Sequence, residues 1–320
     1  MDIVEAPTRC TSSAGDVWES AKDKRSDQVT MLNPKKTVSS VASFGARLLT
    51  DESKMYDYNA WDQVEWTPEQ ESHALLQVQK QAGYAMPAEQ QEKYEEEAAA
   101  FWDKFYQANE DKFFKQRNWL RVEFPELFEQ VTRVDTSSRF NMLEIGCGTG
   151  STVFPVLAET TRASNVFVYA VDFAPTAIEL VQRNPEYDPE RCLAFVYDVT
   201  CEELPSQIEE GSLDVCACIF VLSAIHPDQI RRAINNMYKL LKPGGLVVFR
   251  DYGRYDMTQL RFKPHRRIQD NFYVRGDGTR CYFFAEEEIR DIFKDFTIDS
   301  LKVDRRLLIN RSKQVSEGFI

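Results

Sequence analysis

The chain has no apolar run approaching the ~18 residues that a membrane-spanning helix needs. Its start carries Asp2 and Glu5 and lacks the basic-then-apolar order of a secretory leader. It also lacks the acid-poor, arginine-rich pattern of a mitochondrial presequence. These absences point to a soluble protein of the cytoplasm, with the nucleus left open, and to no membrane partner. Histidine is scarce, at three residues, and the seven cysteines include no C-x-x-C pair. That excludes the usual zinc-ligand spacings, and no metal site is expected. Cys216 and Cys218 alternate within an apolar run and read as buried strand residues.

Net positive charge is also missing: the balance is −12, which disfavours casual binding to a polyanion. The charge is unevenly spread. Glu89 to Glu97 is strongly acidic, whereas Arg250 to Arg280 holds eight Lys or Arg against four Asp. Tyr252, Tyr255, Phe262, Phe272 and Tyr273 interleave with those bases, a pattern that suits nucleic acid but equally a solvated loop.

At 320 residues, 43% hydrophobic and 12% aromatic, the chain has room for one large domain and an appendage. Residues 1–43 are polar without apolar periodicity and are expected to be disordered. Residues 44–135 read as a mainly helical N-terminal extension. Thr67-Pro68-Glu69 opens one helix, and a second runs from Pro87 to Tyr106 with Trp102, Phe105 and Tyr106 on its apolar side. Residues 136–320 alternate short apolar strands with amphipathic helices. Strands are expected at Phe140–Ile145, Val166–Val171, Leu193–Tyr197, Leu213–Val221, Leu246–Phe249 and Ile298–Val303, with Pro243-Gly244-Gly245 as a turn. The fold class is α/β: a mostly parallel, Rossmann-like sheet covered by helices on both faces.

Leu143-Glu144-Ile145-Gly146-Cys147-Gly148-Thr149-Gly150-Ser151 joins the first strand to the first helix, where an open α/β sheet binds its ligand. A dinucleotide fold wants its third glycine where Ser151 stands. Here Gly146, Gly148 and Gly150 fall at alternate residues after Glu144, the spacing of S-adenosylmethionine enzymes of class I. Asp172 ends the second strand, placed to accept the ribose hydroxyls, and Asp198 ends the third, placed for the adenine amino group. Each acid alone has the reading of a turn cap. Val199 and Ile219 complete the cofactor set read from the strand ends.

After the fourth strand stands Ile219-Phe220-Val221-Leu222, without the Asp/Asn-Pro-Pro-aromatic motif of exocyclic amino methylases. No Pro-Cys pair supplies a C5 nucleophile. The remaining target is one already nucleophilic at neutral pH, and a ring-nitrogen lone pair satisfies that.

Phe101-Trp102-Asp103-Lys104-Phe105-Tyr106, Phe113-Phe114-Lys115, Phe220-Val221-Leu222-Ser223-Ala224, Arg250-Asp251-Tyr252-Gly253-Arg254-Tyr255-Asp256 and Asn271 through Arg280 resemble the eukaryotic tRNA N3-methylcytidine methyltransferase family. The similarity spans about Phe44 to Gln314. The resemblance implies S-adenosylmethionine as cofactor and cytidine 32 of the anticodon loop as target. A paired, stacked cytidine hides N3, so a loop base flipped from its stack is the accessible substrate. It places Trp102 and Tyr106 over the cofactor, although both also read as core residues of an amphipathic helix. Asp251, Tyr252 and Arg254 become the catalytic candidates, and Arg117, Arg261, Arg275 and Arg280 the substrate-binding ones. Phe44-Gly45-Ala46-Arg47 and Asn59-Ala60-Trp61-Asp62 favour the branch acting on threonine and arginine tRNAs. An aminoacyl-tRNA synthetase or another adaptor protein is the partner the family suggests.

The chain departs from the family twice. Gln116-Arg117-Asn118-Trp119 replaces Asp-Arg-His-Trp, and an apolar last strand expected after Asp304-Arg305-Arg306 is absent. Val315 to Ile320, with Ser316, Glu317 and Gly318, is a poor strand by propensity. The outermost sheet strand is therefore expected to lack its antiparallel neighbour. Two rival functions stay open: a methyltransferase on a small molecule or protein, and a catalytically silent tRNA-binding scaffold.

Overall fold

The computed structural model describes residues 30–32, 47–110, 117, 119–132, 139–160, 165–310 and 315–319. Phe44 to Ala46, Phe113 to Gln116, and Asn118 lie outside the described residues. In chain order the strands are β1 (Thr30–Leu32), β2 (Ala60–Asp62), β3 (Phe140–Ile145), β4 (Val166–Asp172), β5 (Cys192–Val196), β6 (Leu213–Ile219), β7 (Leu241–Arg250), β8 (Arg267–Gln269), β9 (Phe272–Val274), β10 (Arg280–Tyr282), β11 (Thr297–Ile298), β12 (Arg306–Asn310) and β13 (Val315–Phe319). The helices are α1 (Pro68–Gln81), α2 (Ala88–Glu96), α3 (Ala98–Asn109), α4 (Leu120–Glu123), α5 (Pro125–Thr132), α6 (Val153–Glu159), α7 (Pro175–Arg183), α8 (Pro227–Leu240), α9 (Met257–Arg261) and α10 (Glu286–Ile292). No described helix is long and apolar enough to cross a membrane.

Seven strands form the central sheet in the order β11-β1-β7-β6-β3-β4-β5, every pairing parallel. Alternating side chains of one strand go to opposite faces. Thus Met142, Val215, Ala217 and Val248 pack with α5, α6 and α7 residues on one side. Leu143, Ile145, Cys216, Cys218 and Val247 pack with α8 and α10 residues on the other. Burial on both faces explains why the strands read as continuous apolar runs. The chain leaves β3 toward β4 and β5, then crosses back to β6 and β7. The reversal opens a crevice at the carboxyl ends of β3 and β6, which is where such sheets bind ligands.

Several expectations need correction. The helix beginning at Pro87 is two helices, because Glu97 leaves helical geometry at φ −95° and ψ 12°. Pro243-Gly244-Gly245 lies inside β7 as a looped start to the strand, and the strand expected over Ile298–Val303 is only Thr297–Ile298. Val315–Phe319 does form a strand, because cross-strand partners override its weak propensity. It pairs antiparallel with β12, which pairs with β2, in a small separate sheet. It therefore does not enter the central sheet. The place beside β7 is taken by β1, within the segment expected to lack structure: Thr30, Met31 and Leu32 pair with Leu246, Val247 and Val248. The neighbour missing from the edge is supplied by the N-terminal part of the chain, whose backbone satisfies groups that would otherwise be unpaired.

The N-terminal extension is fastened to this core. Thr67 and Gln70 form a reciprocal capping box at the start of α1. Gln81, at its end, is buried and fully used: its Nε2 donates to the carbonyls of Gln259 and Phe262, and its Oε1 accepts from Tyr273 Oη at 2.7 Å. On α3, Asp103 Oδ1 accepts the Thr176 N–H at the start of α7, and Phe105 and Tyr106 pack on Ala174 and Ala177.

Candidate cofactor and target-base site

The turn after β3 is built on left-handed glycines. Gly146, Gly148 and Gly150 have φ of 60°, 54° and 83°, a conformation that side-chain-bearing residues rarely adopt. A Cβ on Gly146 would stand 2.5 Å from Val221 Cγ2, and one on Gly148 would stand 3.2 Å from Tyr106 Oη. Alternate glycines are thus required by both backbone and space.

Glu144 explains why an acid precedes them. It is buried, and its Oε2 accepts the Val153 N–H at 3.1 Å, capping the first turn of α6. Arg117 Nη1 donates to Glu144 Oε1 at 3.4 Å and to Thr152 Oγ1 at 3.1 Å. Burial pushes the Glu144 carboxyl up to about 7, while Arg117 pulls it down. Arg117, expected to bind substrate, is thus tied to the glycine loop and also lines the small cavity beside it.

Asp172 lies buried at the end of β4. Its Oδ2 accepts the Gly148 N–H and its Oδ1 the Ala174 N–H, both at 3.0 Å. Burial raises its carboxyl to about 6, and the hydrogen bonds from Ala174, Gly148 and Tyr106 oppose the rise. Asp172 thus locks the glycine loop to β4, and the Tyr106 phenol of α3 closes over it. A carboxylate has about four acceptor positions, so this acid serves the loop as well as any ligand hydroxyl.

The other cofactor candidates divide. Trp102, Tyr106, Gly146, Gly148 and Ile219 line one cavity of about 140 Å³. Gly150 turns toward Phe154 and Val199 is buried in the core below α8, so neither lines it. Asp198 Oδ1 accepts from Thr200 N and Thr200 Oγ1, at 2.8 and 2.7 Å. It closes its own turn through Oδ1, leaving Oδ2 as a further acceptor, and like Asp172 it is not among the residues lining this cavity.

The same cavity is also lined by Phe220, Tyr252, Arg275, Asp277 and Thr279. Phe220 follows β6 with φ +60°, strained for so bulky a side chain, and its N–H is held by the Arg250 carbonyl at 2.7 Å. Its ring lies 4.9 Å from that of Tyr252, and Arg117 stands 6.0 Å from the Phe220 ring. Arg275 lies over Tyr252 at 5.5 Å. The result is a layered wall of cation, two aromatics and cation. The pairing of Phe220 with Tyr252 had no signal in the sequence beyond an aromatic after a strand. Both rings also face a larger groove of about 580 Å³, on the side of Arg250, Asp251 and Asp304.

Asp251, Arg254 and Arg280 each hold neighbouring elements together. Asp251 Oδ2 accepts the Ser223 N–H and Oδ1 the Tyr252 N–H, so it pins the Phe220–Ala224 turn to the end of β7. It lies outside the small cavity, which argues for positioning rather than contact with a reacting base. Arg254 bonds Asn271 Oδ1 through Nε and Phe284 O through its N–H. Arg280 is 5% exposed, pairs with Glu95 and donates to Ala224 O, so it ties β10 to α2 and cannot offer itself to substrate. Arg261 alone of the four substrate candidates is exposed. Among the described residues, no cluster of three or more His, Cys, Asp or Glu is placed for a metal ion.

A profile described as "Methyltransferase domain" matches residues 143–247. The "tRNA N(3)-cytidine methyltransferase METTL2" of Danio rerio is 45% identical over 303 residues, covering 85% of each chain. The "tRNA N(3)-methylcytidine methyltransferase trm140" of Schizosaccharomyces pombe is 46% identical over 274 residues, covering 85% of this chain and 88% of that one. The "tRNA(Thr) (cytosine(32)-N(3))-methyltransferase" of Saccharomyces cerevisiae is 46% identical over 276 residues, covering 85% of this chain and 44% of that protein. Similarity of this depth over most of the chain, joined to a glycine cradle that fits S-adenosylmethionine, makes the protein a class I methyltransferase belonging to the tRNA N(3)-cytidine methyltransferase family.

Proposed function

We propose that the chain methylates N3 of cytidine in tRNA, at position 32 of the anticodon loop. The observation that carries this reading is one cavity with two walls: the glycine loop on one side, and the Phe220–Tyr252 pair with Arg275 on the other. The first wall suits S-adenosylmethionine, the second a flat base. Main-chain groups of Gly146 and Gly148 would hold the cofactor, with Trp102 and Tyr106 covering it and Asp172 beneath. Bound there, S-adenosylmethionine supplies a methyl group on a sulfonium, electrophilic enough for a neutral nitrogen.

With the cofactor bound, the N3 lone pair of cytidine would take the methyl group, the electron pair of the S–CH₃ bond staying on sulfur. N3 carries no proton, so none must be removed. The positive charge passes from sulfur to the base. The chemistry therefore needs orientation and exclusion of water rather than a general base. That fits Asp251, whose carboxylate holds two backbone N–H groups and does not line the small cavity. Aromatic faces of Phe220 and Tyr252 stabilise the cationic product.

Threonine and arginine tRNAs are the preferred substrates in this reading, since one relative's name specifies tRNA(Thr). With a net charge of −12, affinity for tRNA alone is modest, and an aminoacyl-tRNA synthetase or adaptor supplies the rest. The test is methyl transfer to total tRNA followed by nucleoside analysis. Formation of 3-methylcytidine supports the reading. Methyl transfer to another nucleoside, or none with cofactor bound, overturns it.

A further inference from the structure

We infer that Arg275 and Asp277, on the turn between β9 and β10, read the base-pairing edge of the target and select cytosine over uracil. This rests on the cytidine reading above and adds the residues that enforce it. Both side chains line the cavity that also holds the glycine loop and the Phe220–Tyr252 wall.

The turn is rigid. Arg275 N–H donates to Thr279 O at 2.7 Å, and Gly278 N–H to Arg275 O at 3.1 Å. Gly278 has φ +89°, and a Cβ there would stand 2.2 Å from Phe101 Cδ1, so the tip is pressed onto α3. Arg280, the next residue but one, is anchored to Glu95 and Ala224. A rigid support is what base discrimination requires, since a loosely held group accommodates either base.

The two side chains offer opposite hydrogen-bond chemistry. Arg275 is half-buried, lies over Tyr252, and is steadied by the Arg280 carbonyl at 3.0 Å from Nη1. An arginine so enclosed suits a base edge better than a solvated phosphate. Asp277 is fixed through Oδ1 alone, which accepts from Thr279 N at 2.9 Å and Thr279 Oγ1 at 2.7 Å. Its carboxylate keeps acceptor capacity on Oδ2. Cytosine presents O2 as an acceptor and N4 as a donor on either side of N3. A guanidinium for O2 and a carboxylate for N4 would hold the base by both ends and leave N3 free for the methyl group. Uracil puts an oxygen where N4 stands, and that oxygen would face the carboxylate.

Asp277→Asn separates this role from turn capping. Only the amide oxygen can accept from Thr279, so the turn keeps its bonds while the group left for the base changes from acceptor to donor. The experiment measures binding of a threonine tRNA transcript with cytidine at position 32, and of the same transcript with uridine there, in the presence of S-adenosylhomocysteine. Methyl transfer, melting temperature and cofactor affinity are followed in parallel. The parent should prefer the cytidine transcript. In Asp277→Asn the preference should disappear and kcat/KM for 3-methylcytidine should fall about 10- to 100-fold, with melting temperature and cofactor affinity retained. Should that variant lose its fold, Asp277→Ser, which keeps an acceptor for the Thr279 N–H, is read the same way. A cytidine preference unchanged in the folded variant overturns the inference alone. A parent that forms no 3-methylcytidine and shows no preference overturns it together with the cytidine reading.

Discussion

Arg117 Nη1 lies 3.4 Å from Glu144 Oε1, so the acid of the glycine motif is neutralised from the N-terminal extension. The two residues are 27 positions apart, and both are enclosed. The extension thereby braces the glycine loop rather than lying beside the domain as an appendage. Removing the cation leaves a buried carboxylate unpaired, a loss of about 3–5 kcal/mol for such pairs. Arg117→Met should lower the melting temperature clearly and weaken cofactor binding, both measurable by thermal shift with and without S-adenosylmethionine. A variant as stable as the parent would show that Glu144 is held by Val153 and Thr152 alone.

Glu144 also sets a pH dependence. Its carboxyl is raised to about 7 in the fold from an ordinary value of 4.5. Between those pH values the unfolded chain releases a proton that the folded chain keeps. The contribution of Glu144 therefore favours folding below about 4.5, declines as pH rises toward about 7, and is level above. Glu144→Gln carries no such term. The stability difference between parent and variant, taken from urea unfolding across this window, should shift steadily against the parent as pH rises. A difference independent of pH would refute the assignment.

Asp172 joins the glycine loop to the end of β4. Asp172→Ala removes acceptors for Gly148 and Ala174 as well as for ligand hydroxyls. Cofactor affinity should fall by about 2–3 kcal/mol, the size of charge-assisted hydrogen bonds. Isothermal titration calorimetry measures it, and parent-like affinity would mean that the cofactor lies elsewhere.

Two arginines of the basic segment should behave oppositely. Arg261 is exposed and Arg280 is buried against Glu95. Arg261→Ala should flatten the salt dependence of tRNA binding by about one unit of slope and leave melting unchanged. Arg280→Ala should lower the melting temperature. Identical salt slopes for parent and Arg261→Ala would remove that residue from the RNA surface.

The sheet's completion by β1 is testable by backbone chemistry. Met31 pairs with Val247 on one side and Ile298 on the other. Met31→Pro removes an N–H from a strand with neighbours on both edges. It should lower the melting temperature and raise hydrogen exchange at Thr297 and Ile298. Exchange unchanged at β11 would show that β1 adds nothing to the edge.

The sequence by itself determined the parallel α/β core, because strands buried on both faces must be continuous apolar runs and their helices must be amphipathic. It also determined the glycine loop, because glycine takes the positive φ at residues 146, 148 and 150 without steric cost. Asp172 was legible from its place at a strand end. What the tertiary structure decided were the roles of side chains that sequence can only name by type. Asp172 and Asp198 share a position at a strand end, yet Asp172 bridges to the glycine loop whereas Asp198 bonds within its own turn. Arg117, Arg275 and Arg280 looked alike as substrate-binding candidates. One neutralises Glu144, one faces the cavity beside Tyr252, and one is buried against Glu95. β1 and β13 were illegible for a related reason. Short strands with weak propensity exist only because a partner far along the chain supplies their hydrogen bonds, and such pairings leave no local pattern.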